Sequence, residues 1–226
     1  MRMENEILTR IFAREGARYG FKDVEARFVA FRDFKVKWRR SYTWISFDVS
    51  DYLDDAPEEV MEAIARTVYA RIKGDMSVEY GDDVSDWVMS DDFVDRRQNQ
   101  FVGRFRGLTR SPMGSHRNLE DSYRRLLDMG LVRDEPKLRM GWYNTGGRNS
   151  GTSSVLMRVV AINSILDDPE IPEAVLDYCF YAHMCHVEMG FGPDRTGKDA
   201  EYQEALARFP MKKEAEDGMR RFSIRI

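Results

Sequence analysis

Apolar residues in the first third of the chain predict a helix, a pair of strands and a second helix. They recur every three or four positions through residues 3–18, which is helical spacing. Apolar and polar residues then alternate through KVKWRRSYTWISFDV, the pattern of an antiparallel pair with one solvent-exposed face, and Trp38 and Trp44 are expected to be core residues. Helical spacing returns in DDAPEEVMEAIARTVYARIKG, with proline in the first turn and glycine after the end.

The second half of the chain predicts two strands and four helices, the first of which is the short NLEDSYRRLLDMG, ended by Gly130. KLRMGWY and SVLMRVVAIN have the composition of strands, and the glycine- and serine-rich NTGGRNSGTS between them is expected to be a turn or a flexible loop. Residues 172–189 form the longest strongly apolar helical segment, apolar around about two-thirds of its girth and therefore expected to be central. Two charged helices separated by Pro210 follow. No internal repeat is visible, and the order of the elements predicts an α+β fold.

Composition narrows the classes of function. The 226 residues are 42% hydrophobic and 33% charged, and no apolar stretch approaches the ~20 residues of a membrane span. The N-terminal MRMENEILTRIF lacks the apolar run of a secretory signal. Cys179 and Cys185 lie on different sides of one helix and cannot form a disulfide with each other. We therefore expect a cytoplasmic protein with reduced thiols. Gly146 and Gly151 have the spacing of a phosphate-binding loop, but its lysine is missing.

The charge of the chain is unevenly distributed. The net charge of −4 argues against bulk affinity for nucleic acid, yet residues 96–148 hold eleven arginines and Lys137 against five acids, a local excess of +7. One interpretation is that these arginines lie on solvated helix faces and are neutralised by acidic elements. The other is a surface for an acidic protein or RNA, with Arg104, Arg106 and Arg110 as candidate partner-binding residues.

The segment YAHMCHVEMGF contains two of the three histidines. His183 and His186 are three residues apart on one helix and could converge on a metal ion, as Glu-x-x-His pairs do in helix bundles. Glu201, Glu204 or Glu214 on the following helices would then complete a displaced zinc site. The alternative is a pair of core histidines hydrogen-bonded to backbone or carboxylate groups.

A strand end of the form I-N-x-x-L followed by a helix that opens P-E-x-V-L-D-Y is present in AINSILDDPEIPEAVLDY. This segment, within a run from about 138 to 210, resembles the core of small zincin metallopeptidases of the SprT-like and minigluzincin-like group. The resemblance covers a third of the chain. It implies a zincin-like core at 116–226, in which an antiparallel hairpin sheet packs on a central helix of the active-site type. Residues 1–115 would form an N-terminal α+β subdomain, a helix–hairpin–helix extension.

The catalytic residues of that family do not carry over. In the family, the helix holds H-E-x-x-H and a downstream residue supplies the third ligand. Aligned on the helix opening, Ala182 takes the place of the first zinc histidine and His183 that of the general-base glutamate, while His186 keeps its ligand identity. Lys198 stands where the third ligand would lie. Zinc-dependent hydrolysis needs three protein ligands for the metal and a carboxylate base. The resemblance therefore implies that the chain keeps the metallopeptidase fold but does not hydrolyse peptides and binds no cofactor.

The sequence therefore predicts a catalytically inactive, metallopeptidase-like protein that binds a protein partner or a peptide segment. A zincin cleft accepts a peptide as an added strand at a sheet edge, and such a groove could hold a segment without cutting it. The first alternative is an active zinc metallopeptidase with a rearranged metal site, in which Glu188, Glu201 or Glu204 would be the general base. The second is an RNA- or nucleic-acid-associated protein that uses residues 96–148. A third surface, the aromatic and basic FKVKWRRSYTW hairpin, could stack on bases.

Overall fold

The computed structural model describes residues 2–144, 146–191 and 195–226, with side chains in the last range described from residue 199 onward. The chain divides into two compact units, residues 1–90 and 91–226. The expected boundary at residue 115 therefore lies inside the second unit, which begins at residue 91 with a helix.

The first unit is a mixed three-stranded sheet with three helices. Its elements are α1 (Asn5–Ala17), β1 (Asp23–Val29), β2 (Val36–Arg40), β3 (Trp44–Ser50), a 3₁₀ helix (Asp51–Leu53), α2 (Glu58–Ile72) and α3 (Asp82–Met89). The sheet order is β1-β3-β2, with β1 parallel and β2 antiparallel to β3. The predicted antiparallel pair is therefore present, but a parallel strand is added to it.

Aromatic side chains fill the core of the first unit. The ring of Phe12 on α1 lies 4.6 Å from that of Phe47 on β3, and Phe47 lies 5.2 Å from Tyr69 on α2. The Tyr69 hydroxyl donates to the carbonyl of Phe12 at 3.0 Å, so this buried polar group has a partner.

The second unit repeats this plan with more helices. Its elements are α4 (Asp91–Arg104), α5 (Leu119–Asp128), β4 (Arg139–Tyr143), β5 (Gly151–Ser154), β6 (Val159–Asn163), a 3₁₀ helix (Ser164–Asp167), α6 (Glu173–Glu188), α7 (Arg195–Ala207) and α8 (Lys212–Phe222). The sheet order is β4-β6-β5, with β4 parallel and β5 antiparallel to β6. The expectation of an antiparallel hairpin sheet is met only in part: β5 and β6 form an antiparallel hairpin, but β4 is parallel to β6, so the sheet is mixed.

The central helix α6 is buried more completely than its apolar pattern predicts. The less apolar third of its girth is also covered apart from Glu188: Asp177, Tyr181 and Met184 are all buried. Asp177 is tolerated there because Arg125 of α5 donates two hydrogen bonds to it, both 2.7 Å long. Among the described residues, every helix is too short or too polar to cross a bilayer.

The two units share one topology, although no repeat is visible in the sequence. Each runs helix, three strands, 3₁₀ helix and helix, and in each the last strand lies in the middle, parallel to the first and antiparallel to the second. A backbone contact also recurs: Asn163 donates its N–H to the carbonyl of Ser150 at 2.8 Å, and Ser50 donates to Lys35 at 3.0 Å. The fold is therefore a structural repeat.

Ion pairs between the first and last helix of each repeat correspond as well. In both units the helix that follows the 3₁₀ helix, α2 or α6, begins with glutamate after an N-cap proline, Pro57 or Pro172. An arginine of the first helix pairs with that glutamate and with an acid one turn later. The pairs are Arg14 with Glu58 and Glu62, and Arg125 with Glu173 and Asp177. This correspondence aligns α2 with α6 residue by residue.

Trp38 and Trp44 are not core residues, contrary to the sequence-based expectation. Trp38 is 46% exposed and Trp44 is 43% exposed. In the register of the sheet, Trp38 lies opposite the buried Phe47, but on the edge strand β2, where four of the five residues are exposed. Alternation alone cannot distinguish an edge strand from a central one, because both have two faces.

Candidate functional site

The candidate site surrounds His183, where α6 passes beneath the edge strand β5. The imidazole is only 6% exposed, and its Nε2 shares a hydrogen bond with the Ser150 hydroxyl at 3.1 Å. Its Nδ1 is buried with no partner among the described residues. Burial is the main cause that lowers the pKa of His183 to about 4, and the nearby His186 adds to it. His183 is therefore neutral at neutral pH.

Asn163 at the end of β6 holds the segment that carries Ser150. Its side-chain amide donates to the carbonyls of Gly147 and Asn149, at 3.0 and 2.8 Å. Its side-chain oxygen accepts from the backbone of Ile165, which caps the 3₁₀ helix. The I-N-x-x-L pattern thus has a local structural role, which the sequence analysis did not assign.

Gly151 is required beside His183 because the backbone passes very close to the ring. A Cβ atom at this position would lie 2.7 Å from His183 Nε2 and 2.5 Å from the carbonyl oxygen of Ala161.

Replacing Gly151 by alanine is expected to lower the free energy of unfolding by about 1–3 kcal/mol, because the Ala161 backbone on one side cannot move away. Chemical denaturation measures the loss. Gly103→Ala is the matched control, since nothing lies within 4 Å of its Cβ position; an equal loss in both variants would contradict the argument.

His186 points away from this interior position. It is exposed at the surface and its ring stacks on Tyr202 of α7, with 4.2 Å between ring centroids. Partial desolvation lowers the pKa of His186, and Asp199 acts in the opposite direction. The two histidines are therefore not equivalent, because His183 lies in the core and His186 lies at the surface, so they are not a pair of core histidines.

The remaining positions of the predicted metal motif lack a converging ligand set. Ala182 is fully buried and has no atom that could bind a metal. Glu201 and Glu204 are exposed on α7, and the side chain of Lys198 lies outside the described residues. Within the described part of the chain, no three His, Cys, Asp or Glu side chains are arranged to hold a metal ion.

The first unit has no metal ligands at the corresponding helix positions either. With Pro57 matched to Pro172, the counterparts of Ala182, His183 and His186 are Thr67, Val68 and Arg71. The stacking contact nevertheless recurs, because the Arg71 guanidinium lies 4.8 Å from the centre of the Tyr80 ring. The shared feature of the two helices is packing rather than chemistry.

Beside the candidate site, the extended backbone of residues 148–150 forms β-type hydrogen bonds with Arg225. The backbone N–H of Ser150 donates to the carbonyl of Arg225 at 2.6 Å, and Arg225 donates to Arg148 at 2.9 Å. Asn149 and Arg225 form a parallel β-bridge. The sheet edge next to His183 can therefore hold an extended segment through backbone hydrogen bonds.

A small cavity lies at the carboxyl end of α6. It has a volume of about 200 Å³, and its lining includes Cys185, Glu188, Glu201 and Arg208. Burial raises the pKa of the Cys185 thiol to about 11, so it is not a thiolate nucleophile at neutral pH. Glu188, a possible base in the sequence-based alternative, accepts the Arg133 backbone N–H at 2.6 Å.

The arginine-rich segment is partly neutralised by ion pairs. Arg96 pairs with Asp92, Arg124 with Asp121, and Lys137 with Asp95. These pairs fit the interpretation of charges balanced by acidic elements. Of the three candidate partner-binding residues, Arg106 and Arg110 are exposed and Arg104 is half-buried.

Comparison with protein-family models, with curated proteins and with solved structures found no match to this chain. The resemblance of residues 138–210 to SprT-like and minigluzincin-like zincins thus remains a prediction from the motif residues.

Proposed function

We propose that this chain is a catalytically inactive, metallopeptidase-like protein of the cytoplasm that binds an extended peptide or protein segment. In this proposal the α6–β5–β6 region is a zincin-like core that still has a peptide-binding groove but no longer hydrolyses peptides. Two features support it: the residues on the central helix, and the sheet edge beside them.

The residues on α6 are poorly suited to hydrolysis. A zinc peptidase holds its metal through three side chains and uses a carboxylate to take a proton from water. Ala182 offers no ligand atom, and His183 has its Nε2 engaged with Ser150. A general base works best when its pKa is near the working pH, and the pKa of about 4 makes His183 a weak base.

The main support for peptide binding is the sheet edge at Ser150. β5 is the edge strand of its sheet, and the residues immediately before it pair with Arg225 by β-type hydrogen bonds. Addition of a strand to such an edge obtains affinity from the main chain and specificity from side-chain pockets. The four residues Gly151–Ser154 continue this edge and would receive the partner segment.

The test is a binding and cleavage experiment on the untagged full chain. A pool of unstructured decapeptides is incubated with the protein and zinc, and bound peptides are identified by mass spectrometry. We expect intact peptides to be retained, with hydrogen exchange slowed at β5. The opposite edge strand of the same sheet, β4, is the internal control and should not change.

Two results would overturn the proposal. Cleavage products that disappear on chelation and in His186→Ala would favour an active enzyme with a rearranged site. Stoichiometric zinc in protein purified without a metal-affinity tag, measured by inductively coupled plasma analysis, would point the same way. Retention of no peptide at all would refute the binding role itself.

A further inference from the structure

The β2–β3 hairpin of the first unit concentrates the exposed aromatic surface of the protein. Trp38 is 46% exposed, Trp44 is 43% exposed and Tyr42, in the connection between the strands, is 99% exposed. Within the described residues, no other Trp, Tyr or Phe is exposed to this extent. Three large rings within seven residues are costly to leave in water unless they meet a partner.

The same hairpin carries a run of cations with no acid among them. Between Asp33 and Asp48 the charged residues are Lys35, Lys37, Arg39 and Arg40. The last three are exposed, and none of them forms an ion pair with a described residue. Asp48 lies opposite Lys37 in the sheet but is paired with Arg27 at 2.7 Å. The hairpin therefore has unbalanced positive charge.

Two acids of the same sheet also lie near the hairpin. β2 is one edge of the sheet, and Asp23 and Glu25 belong to β1, the other edge. Two shallow grooves lie beside the hairpin, and each joins one exposed ring to two cations. One, of about 660 Å³, is lined by Trp44, Arg39 and Lys22 together with the two acids of β1; the other, of about 360 Å³, is lined by Tyr42, Arg40 and Lys73.

We propose that this hairpin binds single-stranded nucleic acid. Bases would stack on Trp38, Tyr42 and Trp44, and phosphates would lie against the cations of β2, which is how sequence-tolerant single-strand binders work. The rings lie on both faces and at the tip of the hairpin, which suits splayed bases better than a rigid duplex. An acidic peptide would use the cations but leave the rings unexplained. This proposal does not depend on the peptide groove of the second unit.

The experiment is a fluorescence titration of the full chain with twelve-nucleotide oligouridylate and oligothymidylate. We expect saturable quenching of tryptophan emission with both, because the two most exposed of the four tryptophans lie on the hairpin. Three phosphate contacts predict a salt slope of about −2, so the affinity should fall about twentyfold between 50 and 200 mM salt. In the unmodified chain, bound oligonucleotide should also protect the emission from acrylamide.

Two charge-reversed variants separate the hairpin from general electrostatics. Lys37→Glu/Arg39→Glu/Arg40→Glu should lose binding by more than a hundredfold, and Trp38→Ala/Trp44→Ala by at least tenfold. Lys213→Glu/Arg220→Glu/Arg221→Glu carries the same change in charge on exposed positions of α8 in the second unit and should bind as the unmodified chain does. Circular dichroism checks that each variant is folded.

Several outcomes would overturn the inference. An equal loss in both charge-reversed variants would assign binding to overall charge. Protection of tryptophan by polyglutamate or by phosphatidylserine vesicles, but not by either oligonucleotide, would assign the hairpin to an acidic protein or to a lipid surface. Absence of quenching and of acrylamide protection with both oligonucleotides would exclude single-strand binding here.

Discussion

Replacing Arg125 by methionine is expected to lower the free energy of unfolding by about 3–5 kcal/mol. The methionine keeps much of the apolar length of arginine but leaves the Asp177 carboxylate without its cation. Asp177 has a side chain that is only 3% exposed, whereas that of Arg125 is 33% exposed, so the stranded charge is the buried one. Urea denaturation at neutral pH measures the loss.

The structural repeat supplies a matched control for this variant. Arg14 and Glu62 form the corresponding pair of the first unit, with side chains that are 51% and 29% exposed. Arg14→Met should therefore cost about 1 kcal/mol or less, because both groups can be hydrated once they are separated. The double variant Arg125→Met/Asp177→Leu should recover most of the stability. Equal losses at Arg125 and Arg14 would contradict the importance of burial.

Replacing His183 by glutamine should make the protein less sensitive to acid. The pKa of His183 is lowered to about 4 in the folded protein, against about 6.5 in the unfolded chain. Above pH 6.5 the ring is neutral in both states and contributes no pH dependence. As the pH falls from 6.5 to 4, the unfolded chain takes up a proton that the folded protein does not. Stability is lost in that window, by about 3 kcal/mol at pH 4.

The measurement is the free energy of unfolding at pH 7 and at pH 4.5, compared between variants. Carboxylates contribute to acid sensitivity in every variant, so the difference from the unmodified chain is the informative quantity. His183→Gln should lose less stability on acidification, while His116→Gln, whose ring lies in an exposed loop, should behave like the unmodified chain. If all three proteins lose the same amount, His183 is not buried as a neutral ring.

Much of the secondary structure follows from local pattern. α2 and α6 have apolar faces, N-terminal prolines and nearby glycines, and their bounds agree with the predicted segments. The strand pair β2–β3 was also predicted, because alternation persists over it. β5 was not, because Gly151–Ser154 has neither apolar side chains nor alternation. It pairs with β6 through backbone groups, which every residue carries.

The candidate site was predicted only in part. The sequence identified the helix and both histidines, but it did not identify Ser150, Gly151 or Tyr202. A hydrogen bond between residues 33 positions apart has no signature in a single sequence. The repeat was missed for a similar reason, since the matching features are ion pairs and strand order rather than a run of identical letters.

The sequence by itself determined the α+β class, the apolar helix at the centre of the second unit, and the absence of a ligand atom at Ala182. These are properties of residue type and local spacing, which depend on near neighbours along the chain. Tertiary structure alone decided that β2 is an edge strand, where Trp38 is exposed, and that Trp44 lies on the solvent-facing side of the central strand β3. It also placed one histidine of the helix in the core and the other at the surface. Edge position and burial depend on which distant segments pack together, because they are set by long-range contacts.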